Sequence, residues 1–104
     1  MIKYVLIDDD KLIHLSWKYK ASISKIMIRC FYSVNEFLDS SHEIPFEVTI
    51  FIDSHLQSNI KGELESKKIY EMGYKSIFLS TGYLDFDISP YPWIKGITSK
   101  KIPF

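Results

Sequence analysis

The sequence predicts an α/β fold built on a parallel sheet. Short apolar, β-branched runs recur along the chain, helix-patterned segments separate them, and the links between the two are short. A chain of 104 residues fits one domain, residues 1–104, around one hydrophobic core.

The first strand is expected at Ile2 to Ile7, an apolar run broken only by Lys3, as suits a strand covered on both faces. It ends in Asp8, Asp9 and Asp10. From Lys11 to about Ser22, Leu12, Leu15 and Tyr19 repeat at helical spacing with Ile13 and Trp17 alongside, which predicts a helix with that stripe facing the core. Ile26 to Tyr32 is the second apolar run. Ser33, with Glu36 three residues on, forms a capping box for a short helix through Phe37 and Leu38.

Glu47 to Ile52 is rich in β-branched and aromatic residues and runs into a single carboxylate, Asp53. A polar loop reaches Gly62, and Glu63 to Met72 reads as a helix with Gly73 as its stop. Ser76 to Leu79 is the fourth strand and gives way to Ser80, Thr81 and Gly82. Two prolines between Tyr83 and Pro92 predict a fourth helix that is short or absent, and Ile94 to Ile97 is the fifth strand.

Several classes are disfavoured by composition. Basic and acidic residues balance at thirteen each, so no net charge draws nucleic acid or an anionic membrane. No apolar stretch approaches membrane-spanning length and the N-terminus has no cleavable leader pattern, which predicts a soluble, cytoplasmic protein. Cys30, the one cysteine, is expected to be a small buried hydrophobe. His14 and His42 are expected to be ordinary surface or partly packed imidazoles, and Trp17, Tyr19, Tyr91 and Trp93 core rather than base-stacking residues.

Ligand sites in parallel sheets lie beyond the carboxyl ends of the strands. Those ends carry Asp8, Asp9 and Asp10, then Asp53, then Ser80 and Thr81, and finally Lys100 and Lys101. Clustered carboxylates call for a cation, and an all-oxygen site on an open rim suits Mg2+. A carboxylate so placed can act as a nucleophile towards a phosphoryl donor, with a hydroxyl and a lysine on the phosphoryl oxygens.

The segments VLIDDDKLI, IFIDSHL, FLSTGY and SKKIPF resemble, in order, the signature segments of response-regulator receiver domains, and the spacing from Asp8 to Asp53 is similar too. The resemblance covers essentially the whole chain. It implies a flavodoxin-like, doubly wound, five-stranded parallel sheet of order 2-1-3-4-5. It also implies that Asp53 is the phosphoacceptor, that Asp8 and Asp9 hold Mg2+ together with Asp53 and the His55 backbone carbonyl, and that Thr81 rather than Ser80, and Lys100 rather than Lys101, contact the phosphoryl group. Asp10 is expected to meet the helix dipole. The implied partner is a sensor histidine kinase or phosphotransfer protein, and the implied role is a switch rather than a conventional enzyme.

The chain departs from that pattern at Gln57, where receivers usually have proline, at Gly62, one residue later than usual, and at Ile97, where an aromatic switch residue is common. It also lacks a fifth helix after the fifth strand. An exposed apolar area near the first and fifth strands is therefore expected, met by a homodimer or a partner; the alternative is that Tyr91, Trp93, Ile102 and Phe104 fold over the gap. Two rival functions remain. One is a haloacid-dehalogenase-like phosphatase with Asp8 as nucleophile and Asp85 and Asp87 as its later acidic pair; the other is a receiver-like interaction module that takes no phosphate.

Overall fold

The computed structural model describes residues 1–104, apart from the side chain of Ser58. Five strands, β1 (Ile2–Ile7), β2 (Met27–Phe31), β3 (Thr49–Asp53), β4 (Ile77–Ser80) and β5 (Gly96–Thr98), form one sheet of order β2-β1-β3-β4-β5. Every pairing is parallel. Three α-helices accompany it: α1 (Lys11–Ser24), α2 (Val34–Ser40) and α3 (Gly62–Met72). This is the expected fold class and strand order. The reversal of winding between β1 and β3 is the switch point at which such sheets bind ligands.

Local chemistry sets the element ends. The Asp10 carboxylate accepts from the Leu12 N–H at 2.9 Å and caps α1, as its place before the helix predicts. Ser33 caps α2 through the Glu36 N–H at 3.1 Å, while the Glu36 carboxylate accepts from Tyr32 rather than from Ser33. Gly73 ends α3 at φ 122°. β5 begins two residues later than the apolar run, because Tyr91 to Ile94 closes a turn and Gly96 is the first residue to pair with β4, beside the Phe78 ring. Among the described residues, 83–95 contain no helix.

Strand alternation divides the core in two. On one face Val5, Ile7, Ile50, Ile52, Ile77 and Leu79 pack with residues of α2 and α3. On the other, Leu6 and Phe51 meet Trp17 of α1.

The structure corrects the expected core stripe of α1. His14, Trp17 and Ala21 are its buried residues, whereas Leu12 (70%), Leu15 (53%), Tyr19 (72%) and Ile23 (64%) are exposed. At about 100° per residue the two lines lie on opposite sides of the helix. Both satisfy helical periodicity, and the line carrying small Ala21 and broad Trp17 is the one that docks on the sheet.

A second correction concerns the face beside β1 and β5. The segment after β5 folds back over it: Phe104 stacks on Tyr4 at 5.4 Å and meets Trp17 edge-on at 5.5 Å, with Ile102 in the same cluster. The expected open face is thus covered by the chain's own tail. Tyr91 and Trp93 take no part, since they pack on the opposite face, where Trp93 donates from Nε1 to the Ser66 hydroxyl at 2.7 Å.

The two lines of α1 should separate cleanly in urea unfolding. Trp17→Ala is expected to cost about 3 kcal/mol or more, whereas Leu15→Ser should stay within about 0.5 kcal/mol of wild type. Phe104→Ala, which uncovers a half-buried cluster, is expected to cost about 1–2 kcal/mol.

Candidate functional site at the carboxyl rim

β1 and β3 end side by side, with Ile7 level with Ile52, so the next residues, Asp8 and Asp53, arrive at the same height. Asp53 in turn is level with Ser80. Asp8, Asp9 and Asp53 each bring a carboxylate oxygen to within 4.8 Å of the others. Asp8 and Asp53 are buried and Asp9 is half-buried.

Lys100 completes the cluster from the far end of the chain. Its ammonium donates to the Asp53 carboxylate and stands 3.5 Å from Asp8 Oδ2. Lys101 is exposed and donates only its backbone N–H, to the Ser99 hydroxyl. The remaining Asp8 oxygen, Oδ1, accepts from the Asp10 N–H at 2.9 Å. Burial, followed by the neighbouring Asp53 charge, pushes the Asp8 carboxyl above its ordinary value, against the pull of the Asp10 N–H and Lys100.

Thr81 is buried, and its hydroxyl oxygen accepts from the Tyr83 N–H at 3.1 Å, which leaves the hydroxyl proton free to donate. Ser80 is also buried, and its carbonyl accepts from the Ser54 N–H at 3.3 Å. His55 is exposed, in a loop pinned by the Gly62 N–H on the Ser54 carbonyl and the Leu56 N–H on the Ile60 carbonyl. Gln57 lines a shallow cleft of about 140 Å³ with Tyr32, Val34, Leu56 and Ile60.

Sequence reasoning missed two features of this rim. At Gly62 a Cβ would run into the Asp53 carbonyl, so the first turn of α3 presses against the backbone of the acidic strand end. His14 is 1% exposed and donates from Nε2 to the Asp8 carbonyl at 2.6 Å. This corrects the expected surface or partly packed imidazole; it follows from the docking of the His14–Trp17–Ala21 line of α1, which periodicity alone does not select. Cys30 is half-buried, and burial pushes its thiol up to about 11, so it is protonated and unreactive at neutral pH.

The donor set fits a divalent cation. It offers only oxygen, at an open edge, with excess negative charge that the Lys100 ammonium partly neutralises. Asp85 and Asp87 lie outside this cluster, and Asp87 instead accepts from the Ser89 N–H at 2.9 Å in an exposed loop.

Similarity to solved structures follows this geometry. A chain from Chloroflexus aurantiacus J-10-fl assigned as a response regulator superposes with a TM-score of 0.72 over 95% of this chain and 84% of its own, at 16% identity. The two chains share one fold, the five-stranded parallel sheet of order 2-1-3-4-5. The response regulator StyR superposes with a TM-score of 0.71 over 98% of this chain, at 14% identity, and this chain spans 52% of its length. No protein-family model matches the sequence, and no curated protein matches it. Among the described residues, no helix is long and apolar enough to cross a membrane.

Two substitutions test the rim. A raised carboxyl pKa means that ionised Asp8 costs the folded state stability at neutral pH and ceases to do so once protonated. Asp8→Asn is therefore expected to raise the melting temperature by a few degrees near pH 7. The gain should shrink as the pH falls through the raised pKa and vanish below the ordinary value of 3.8, where neither side chain is charged. Gly62→Ala forces backbone apart and is expected to cost about 2–3 kcal/mol in urea unfolding.

Proposed function

We propose that this chain is a phosphoacceptor receiver domain in which Asp53 accepts a phosphoryl group in an Mg2+-dependent transfer. The observation that carries this reading is the convergence of Asp8, Asp9 and Asp53 with Lys100 at the switch point of a response-regulator fold. A carboxylate oxygen of Asp53 attacks phosphorus, an acyl phosphate forms, and the bond from phosphorus to the donor breaks with its electron pair leaving on the donor. Asp8, Asp9, Asp53 and the His55 carbonyl are the residues that would hold magnesium, whose charge would offset that of the incoming phosphoryl oxygens.

The chain's own groups account for the remaining work. Lys100, already on the Asp53 carboxylate, follows the new charge onto a phosphoryl oxygen. Thr81 keeps its acceptor role towards the Tyr83 N–H and turns its hydroxyl proton to another phosphoryl oxygen. Phosphorylation adds close to two negative charges to a site held by one ammonium. The tail that begins at Lys100 and ends at Phe104 then feels a changed pull, and this is the route by which the rim can bias an adjoining surface.

The partner in this reading is a phosphoryl-donating kinase or phosphotransfer protein. The outward line of α1, Leu12, Leu15, Tyr19 and Ile23, begins beside Asp9. It is flanked by Lys11, Lys18, Lys20 and Lys25, with no acidic residue from Lys11 to Lys25. A narrow apolar seam edged by lysines suits a helical partner surface that carries carboxylates.

Intact-mass spectra after incubation with acetyl phosphate and Mg2+ test the transfer. Wild type should gain one phosphoryl group, and the adduct should be absent in Asp53→Asn and in samples stripped of divalent cation. An adduct that survives Asp53→Asn and disappears in Asp8→Asn would replace this reading with phosphatase-like chemistry at Asp8. No adduct in any sample, with no Mg2+ binding, would leave an interaction module that uses the α1 seam.

A further inference from the structure

The His14 imidazole has no part in the phosphoryl chemistry above, yet it is among the most deeply buried polar side chains of the molecule. Because a carbonyl oxygen only accepts, the 2.6 Å contact with the Asp8 carbonyl requires a hydrogen on Nε2. Nδ1 has no partner among the described residues. The ring lies flat against Tyr32, with centroids 4.0 Å apart and planes inclined by 8°. Tyr32 follows directly on β2 and is tied through its N–H to Glu36 of α2 at 3.2 Å.

His14 therefore joins three elements at one point. Its own backbone belongs to α1, its N–H donates to the residue after β1, and its ring face rests on the residue after β2. The Asp8 N–H is meanwhile held by the Phe31 carbonyl at 3.0 Å, and the Asp8 carboxylate by the Asp10 N–H at 2.9 Å. The Asp8 carbonyl is the group whose rotation would swing the following residue, Asp9, and the histidine holds it.

We infer that His14 is a positioning residue for the acidic rim: by donating from Nε2 to the Asp8 carbonyl it fixes the Asp8–Asp9 peptide, and with it the placement of the Asp9 carboxylate relative to Asp8 and Asp53. The consequence for cation binding rests on the reading of the rim as an Mg2+ site, whereas the clamp itself does not. Groups that orient metal ligands from behind are commonly worth about 10- to 100-fold in metal affinity.

The test compares wild type with His14→Leu, His14→Gln and His14→Asn. Glutamine can carry an N–H close to the position of Nε2, and asparagine is too short. Amide 1H–15N NMR without metal reads the clamp directly: the Asp9 and Asp10 signals should shift or broaden in His14→Leu and His14→Asn and return towards wild type in His14→Gln. Mg2+ titrations should show affinity falling about 10-fold or more in the leucine and asparagine variants, with most of it restored by glutamine. Unfolding curves establish that each titrated variant is folded, and if leucine prevents folding the glutamine and asparagine pair decides alone.

Unchanged Asp9 and Asp10 amides in the folded leucine or asparagine variant would overturn the inference. So would wild-type Mg2+ affinity in a variant that has lost only stability, which is the signature of a merely structural histidine. If wild type itself binds no Mg2+, the receiver reading fails, and the amide signals still decide whether His14 clamps the turn.

Discussion

Burying Asp8 and Asp53 at adjacent strand ends removes both carboxylates from water and sets them against each other, and the Lys100 ammonium is what makes this arrangement tolerable. The three residues lie far apart in sequence, so their meeting requires β1, β3 and β5 to end at one edge of the sheet. That requirement disciplines much of the molecule. A slip of one residue in β3 would turn Asp53 towards the opposite face and leave Lys100 without its partner. Hydrophobic alternation forbids the same slip, because Ile50 and Ile52 would then exchange faces with Phe51. Core packing and rim electrostatics thus specify the same register.

The packing behind the rim is as confined as its charge. Gly62 brings the start of α3 against the Asp53 carbonyl, and His14 brings α1 against the Asp8 carbonyl. Each acidic strand end is therefore held through its backbone by the helix on its own side of the sheet. The side chains are left to face one another and Lys100, with the Asp10 N–H on Asp8 as an added contact. Such a division would suit the proposed phosphoryl transfer, since the backbone contacts that hold the strand ends are separate from the carboxylates.

Much of this was legible in the sequence, because strands that end in aspartate, hydroxyl and lysine residues announce a shared rim once the sheet is known to be parallel. Asp10 as a helix cap and Gly73 as a helix stop were legible as well, since local hydrogen bonding determines both. What could not be read was which of two valid lines α1 would bury. Leu12, Leu15 and Tyr19 are more apolar than His14 and Ala21, yet the latter pair flanks Trp17 on the sheet. Periodicity reports that a helix has an apolar face; tertiary contact decides which face the core receives. The destination of Ile102 and Phe104 depended likewise on the space beside Tyr4 and Trp17, which no local pattern encodes.

The inverted use of α1 also bears on how the rim communicates. Its inner line carries His14, the clamp on Asp8, and Trp17, the platform for Phe104. Its outer line presents Leu12, Leu15, Tyr19 and Ile23 to solvent. One rigid helix thus touches the acidic turn, the tail that bears Lys100 and the outside of the molecule. Movement of Lys100 from the Asp53 carboxylate to a new anion would be felt at Phe104 and hence along the Trp17 side of α1. A partner seated on the outer line would act on the same helix from the opposite side. For the two events to influence each other they need only favour different settings of α1 against β1, and the reciprocity of coupled equilibria does the rest.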